Sequence, residues 1–224
     1  AGSRDPEDLD SDRLVVLAQR GDTSGFDALY ERYFDRVFAY ARVSLRNDHD
    51  AEDATQQVFG NVLQALPRYQ VRADSSFRAW LFRIARNVVL RMRQTNGRSS
   101  PQAPGELERS VERAAPANEI DGEWLSDKDL AMLVARLPVS QQQVILLRYL
   151  LDFTTREIAD TMDRSPVAVR MLEHRATRVL ETRLHALRGT IGRVDRAPFL
   201  AQTRPMPVLL RRRFALLACG AAPL

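Results

Sequence analysis

TTREIADTMDRSPVAVRMLEHRATRVL, residues 154–180, sets two runs of helical apolar spacing on either side of a short breaker, DRSP. Thr154 is placed to cap a first helix with Ile158 and Ala159 inward and Met162 at its end. Ser165 then caps a second helix, with Pro166 at the first helical position, where its missing N–H costs nothing. Asp163 occupies the turn position that often takes glycine, a conformation aspartate tolerates. Val169, Leu172, Ala176, Val179 and Leu180 form the inward stripe of the second helix. Arg170, Glu173, His174, Arg175 and Arg178 fall largely off that stripe. From 164 to 188 the chain carries six arginines against two glutamates.

Two helices joined by a tight turn, the second bearing basic and acidic side chains outward, predict a helix-turn-helix that places the second helix in a DNA major groove. Arg reads guanine bidentately there, and Glu can accept from cytosine N4. A solvated charged face on a purely structural hairpin is the competing explanation of the segment alone.

The rest of the chain has the same helical period. Asp12 is expected to cap a short helix with Leu14, Leu17 and Ala18 inward, ended by Gly21–Asp22. Phe26, Tyr30, Tyr33, Val37 and Ala41 recur at spacings of three and four and predict a long amphipathic helix. Asp50 is expected to cap the next, with Glu52 and Asp53 favoured by the helix dipole, the stripe Ala54, Val58, Val62 and Leu66 inward, and Pro67 at its close. After the loop from Arg68 to Ser76, Phe77, Trp80, Leu81, Ile84 and Val88 predict another. Nothing alternates with period two. The fold expected is all-α, two small helical domains joined by a flexible acidic linker.

Charge is segregated along the 224 residues despite a net +4. Residues 1–12 hold one Arg against five acids, 77–98 six Arg and no acid, 99–129 three bases against eight acids, and the tail 189–224 six Arg against one Asp. Such alternation suits a polyanion-binding protein with acidic connectors. Lys128 is the one lysine among 33 basic residues. GC-rich coding accounts for that bias, which still supplies guanidinium forks for phosphate and guanine. The stretch QTNGRSSPQAPGELERSVERAAPAN has the composition of a tether. The lone Cys219 gives no disulfide framework or zinc spacing and points to a reducing, cytoplasmic location. No apolar run is long enough for a membrane span, no signal peptide is recognised, and no motif for a cofactor or metal is present. Asp48, His49, Asp50, Glu52 and Asp53 diverge around a helix axis and lack a facing ligand set, which argues against a metal enzyme.

HDAEDATQQVF (49–59), FRAWLFRIARNVV (77–89), and REIADTM with SPVAVRMLEHRA (156–176), in that order, resemble the extracytoplasmic-function (ECF) RNA polymerase sigma factors over residues 13–188. The resemblance implies a sigma region 2 domain at 13–95, a flexible acidic linker at 96–124 and a region 4 helix-turn-helix domain at 125–188, flanked by a disordered acidic N-terminus (1–12) and a basic, disordered tail (189–224). It implies an alternative sigma factor rather than an enzyme, which binds core RNA polymerase and promoter DNA and promotes melting. An anti-sigma factor is the further partner it implies. Asp53, Gln56, Gln57 and Phe59 are the implied polymerase contacts, Gln57 standing where the family more often has Glu. The −10 element falls to Tyr69, Arg78, Arg83, Arg86, Asn87 and Arg91, since an opened strand needs cationic backbone contacts and stacked or pocketed bases. Relatives often carry an Asp near Leu90 or Arg91, absent here. Arg170, Glu173, His174, Arg175 and Arg178 are implied to read the −35 element, with Arg156 and Ser165 on phosphates. A stand-alone helix-turn-helix regulator is the alternative; it would footprint a palindrome without polymerase.

Overall fold

The computed structural model describes residues 6–72, 76–98 and 127–191. The order is α1 (Pro6–Gln19), α2 (Thr23–Leu45), α3 (Asp48–Ala65) with a 3₁₀ turn at Leu66–Arg68, α4 (Phe77–Arg98), α5 (Asp127–Ala135), α6 (Val139–Ile145) widening into a π-helical segment at Leu146–Leu150, α7 (Thr155–Met162) and α8 (Pro166–Ile191). The all-α expectation is met, with helices as the only regular elements among the described residues. The linker from 99 to 126 and the tail from 192 lie outside those residues. α4 and α8 each run about a turn or less past the ends expected for their domains.

Three N-terminal expectations need correction. α1 begins at Pro6, so residues 6–12 are helix rather than a disordered leader. Asp12 is buried inside α1 instead of capping it. The segment is held by contacts distant in sequence: Ser11 Oγ and the Tyr33 hydroxyl lie 2.8 Å apart, Arg32 donates to Ser11 Oγ at 3.0 Å, and Arg32 pairs with Asp10. The cap of α3 is Asn47, not Asp50; its side-chain oxygen accepts from the backbone N–H of His49 (2.9 Å) and Asp50 (3.2 Å). Asp50 then lies in the first turn, where a carboxylate complements the helix dipole.

The contacts divide the chain into two compact units. One comprises residues 1–101 with 154–166, and the other residues 102–153 with 167–224. The first therefore contains α1–α4 and also α7, a division that differs from the expected single module at 125–188.

In the first unit α2 is the central helix and packs on α1, α3 and α4. Tyr33, Val37 and Tyr40 of α2, Ala54, Val58 and Val62 of α3, and Phe77, Leu81, Phe82 and Ala85 of α4 are almost fully buried. Tyr40 meets Phe82 edge-on at 5.8 Å, a favoured aromatic geometry. α1 approaches α2 closely at Gly25: a methyl added there would sit 2.6 Å from the Leu14 carbonyl oxygen and 2.7 Å from the Ala18 backbone nitrogen. In the second unit Leu130, Val134, Leu137, Val144, Ile145, Leu147, Val169, Ala176 and Leu180 supply the core.

Candidate nucleic-acid and polymerase interfaces

The cap of α7 builds a carboxylate with partners on both of its oxygens. Thr154 accepts from the Glu157 backbone N–H, and Glu157 Oε2 accepts in return from the Thr154 backbone N–H and hydroxyl, both at 2.8 Å. This capping box was legible in the spacing Thr154–Glu157. The other oxygen, Oε1, faces α4. It accepts from Arg78 Nη2 at 2.7 Å, Arg78 Nε at 3.2 Å and Ser76 Oγ at 3.2 Å. Thr161 Oγ1 donates to the Ala79 carbonyl at 3.4 Å, and Arg83 donates to the Asp160 carbonyl. Ile158, Ala159 and Met162 are buried.

This arrangement corrects the reading of Arg78. Its side chain keeps only 10% exposure and is committed to Glu157, itself 13% exposed, so it does not present its charge to a phosphate. Burial lowers the Arg78 pKa, but the Glu157 hydrogen bond and charge, helped by Asp8, outweigh it and hold the guanidinium charged. Burial likewise acts to raise the Glu157 carboxyl, and Arg78 overrides it to bring the group below its ordinary 4.5. A depressed carboxylate contributes stability that is complete above its unfolded value and lost as pH falls through the folded one. Hydrogen exchange of the α7 amides, after correction for intrinsic rates, should therefore show constant protection from neutral pH down to 4.5 and lose it only in stronger acid.

Tyr69 is corrected on similar grounds. Its ring packs on Phe77 (5.6 Å) and Trp80 (4.6 Å), and its carbonyl accepts from Gln19 at 2.7 Å, as the Leu66 carbonyl does at 2.9 Å. The ring is thus part of the packing at the start of α4 rather than a free stacking platform. Arg83, Asn87 and Arg91 are exposed and share one face at four-residue spacing, with Arg86 half-buried beside them near the buried Tyr40 phenol. Arg93 is drawn inward as well, its pKa lowered by burial and by Arg46.

On α3, Asp53, Gln56 and Gln57 are exposed on one face, and Asp53 lies 3.3 Å from His49 one turn earlier. Phe59 is not on that face. It is 6% exposed, with its ring 4.6 Å from Tyr30 and 6.4 Å from Phe34. Tyr30, Phe34 and Phe38 form an aromatic row along α2, which the spacing 30, 34, 38 signals and sequence reasoning passed over. Tyr30 and Leu63 are the apolar groups there that stay open to solvent.

α8 presents Arg170, His174, Arg175 and Arg178, all exposed. Arg156 and Ser165 are exposed too. Asp163 takes the left-handed conformation (φ 54°, ψ 55°), and the next backbone N–H, that of Arg164, donates to the Ala159 carbonyl at 3.0 Å. Glu173 is the exception on α8. It turns toward the π-helical segment, where Tyr149 donates at 2.9 Å and Arg148 Nε lies 3.3 Å away, so it orders the second unit rather than pointing outward. Arg148 also donates to the Phe153 carbonyl at 2.6 Å. Among the described residues no helix is long and apolar enough to cross a membrane.

The Sigma-70 region 2 family profile matches residues 29–99, and the Sigma-70 region 4 profile matches residues 127–180. The chain is 31% identical over 182 residues to the ECF RNA polymerase sigma factor BldN of Streptomyces coelicolor, covering 79% of this chain and 68% of that protein. It is 30% identical over 199 residues to ShbA of Streptomyces griseus, covering 82% and 98%. In backbone it resembles CnrH, solved with the cytosolic domain of CnrY (TM-score 0.60, 23% identity, 79% of this chain and 98% of that one). It also resembles RpoE of Bartonella quintana, solved with the anti-sigma factor NepR (TM-score 0.54, 21% identity, 76% and 98%).

Proposed function

The chain belongs to the ECF RNA polymerase sigma factors, and from that premise we infer how its residues divide the work. It is an alternative sigma factor for transcription initiation, and as such a regulatory subunit. We assign it no chemistry of its own and place its action in the cytoplasm with core polymerase. The observation that carries the residue-level reading is the single-sided charge of α8: Arg170, His174, Arg175 and Arg178 are all exposed while Val169, Ala176 and Leu180 are buried. A helix so divided lays its basic face in the major groove at the −35 element, with Arg156 and Ser165 beside the backbone phosphates. Residues 125–188 are then the functional −35 module, although α7 packs with α1–α4.

Residues 13–95, extended by the first turns of α1, form the −10 and polymerase-binding module. Asn87 and Arg91 on the exposed face of α4, with Arg86 and with Arg83, whose guanidinium also donates to the Asp160 carbonyl, take the separated strand. Asp53, Gln56 and Gln57 contact the polymerase, and Phe59 supports them from within. The solved complexes of CnrH and RpoE motivate a protein inhibitor for this chain as well, an anti-sigma factor.

Transcription with purified core polymerase on a promoter library tests the assignment; a factor that initiates nowhere, and that does not bind core, would refute it. Arg175→Ala should relax −35 selectivity by about 1–3 kcal/mol at one base pair, the worth of a bidentate base contact. Asp53→Ala should weaken core association in a direct binding assay without changing the unfolding midpoint, because the carboxylate is exposed. Footprinting of a palindrome by the isolated protein would favour the stand-alone regulator.

A further inference from the structure

The outward face of α8 is not purely cationic. Val167 is 61% exposed and Met171 49% exposed, and both stand one turn apart in the basic half of the helix. At 3.6 residues per turn, Arg170, His174, Val167, Arg178, Met171 and Arg175 follow one another across roughly 140° of arc, with the two apolar side chains inside that arc, Arg170 and Arg175 at its ends, and Arg178 between them in azimuth but about two turns further along the helix. The buried stripe of Val169, Ala176 and Leu180 lies on the opposite side. Neither side chain therefore serves the core. Single exposed apolar residues need no explanation, but a pair centred between cations on one helix face marks a contact surface.

Resting on the −35 reading of α8, we propose that Val167 and Met171 are specificity determinants which recognise thymine through its C5-methyl group in the major groove. The occupant follows from charge and shape together. Arginines bordering a narrow apolar strip fit a surface that is anionic at its edges and apolar at its floor. In the major groove the thymine methyl is the apolar group that distinguishes bases. A protein partner with an apolar contact would be the other occupant, and the experiment separates the two.

The −35 sequence is first selected from a randomised library with core polymerase and the full chain. Each thymine on either strand is then replaced singly by deoxyuridine, which removes the methyl and leaves the hydrogen-bonding edge intact. Open-complex formation by the wild type should fall about fourfold at one or two of these positions, the worth of a buried methyl group at ~0.8 kcal/mol. Val167→Ala should abolish the methyl effect at one position, and Met171→Ala at the same or a neighbouring one. Met171→Leu should keep it. Because both residues are exposed, folding is not at issue, and unfolding midpoints should match the wild type.

Methyl sensitivity that persists unchanged in both alanine variants would overturn the proposal, as would its absence from the wild type. Equal losses on thymine and deoxyuridine templates, together with weakened core binding, would assign the face to a protein partner instead. Should the library yield no −35 preference while initiation and core binding persist, the −35 reading of α8 fails and this inference with it.

Discussion

Glu157→Ala should release α7 from α4. The substitution removes the carboxylate that receives Arg78 and Ser76 through one oxygen and Thr154 through the other. Breaking one side of a buried ion pair costs about 3–5 kcal/mol, because the remaining charge is left desolvated without its partner. Each partner here keeps about a tenth of its surface in water, so the lower end of that range applies to the pair. Loss of the capping box adds about 1 kcal/mol to the helix itself. Protection of the α7 amides in native-state hydrogen exchange should fall accordingly, while that of α2 and α3 stays near the wild-type level.

Two further variants separate the causes. Glu157→Gln keeps an acceptor for Thr154 and removes the charge, so it should reproduce the ion-pair part of the loss and spare the cap. Arg78→Gln should match it in size. If Glu157→Gln leaves α7 protection unchanged, the charge is dispensable and the apolar contacts of Ile158, Ala159 and Met162 hold the helix by themselves.

Gly25→Ala and Gly60→Ala should move stability in opposite directions, although both glycines lie inside helices. Helix propensity alone favours alanine by about 1 kcal/mol at either site. At Gly60 nothing lies within 4 Å of an added methyl, so the propensity gain should appear undiminished in the unfolding midpoint. At Gly25 the methyl would meet the Leu14 carbonyl, the Ala18 nitrogen and Leu17 Cβ at 2.6–2.9 Å. These neighbours are mostly backbone and cannot rotate away, so α1 must shift as a body. Overpacking costs about 1–3 kcal/mol, and with contacts this short the upper end applies, so a net loss of up to ~2 kcal/mol should remain after the propensity gain. No loss at Gly25 would mean that α1 does not seat closely on α2 in solution, and a loss at Gly60 would mean that an added methyl there does meet a neighbour.

Much of this protein was fixed by local chemistry and so could be read from the chain. Apolar spacing of three and four located α2, α3, α4 and α8. Thr154 with Glu157 announced a capping box, Pro67 marked the place where α3 gives way to a 3₁₀ turn, and Asp163 marked the turn between α7 and α8. The alternation of exposed Arg170, His174, Arg175 and Arg178 with buried Val169, Ala176 and Leu180 follows directly from 3.6-residue periodicity, and the ordered motifs carried the family.

What stayed hidden depends on partners far away in sequence. Arg78 reads as one more cation in a basic helix, and only the approach of Glu157, 79 residues on, makes it part of an ion pair. Glu173 reads as an outward acid until Tyr149 and Arg148 are seen to receive it. Phe59 and Tyr69 become packing residues because α2 and the start of α4 offer them aromatic neighbours. Residues 6–12 become helix because Arg32 and Tyr33 hold Ser11 and Asp10. Periodicity tells which side of a helix is apolar; whether a polar side chain at its margin meets water or a distant partner is set by how helices pack, and that depends on the whole chain at once.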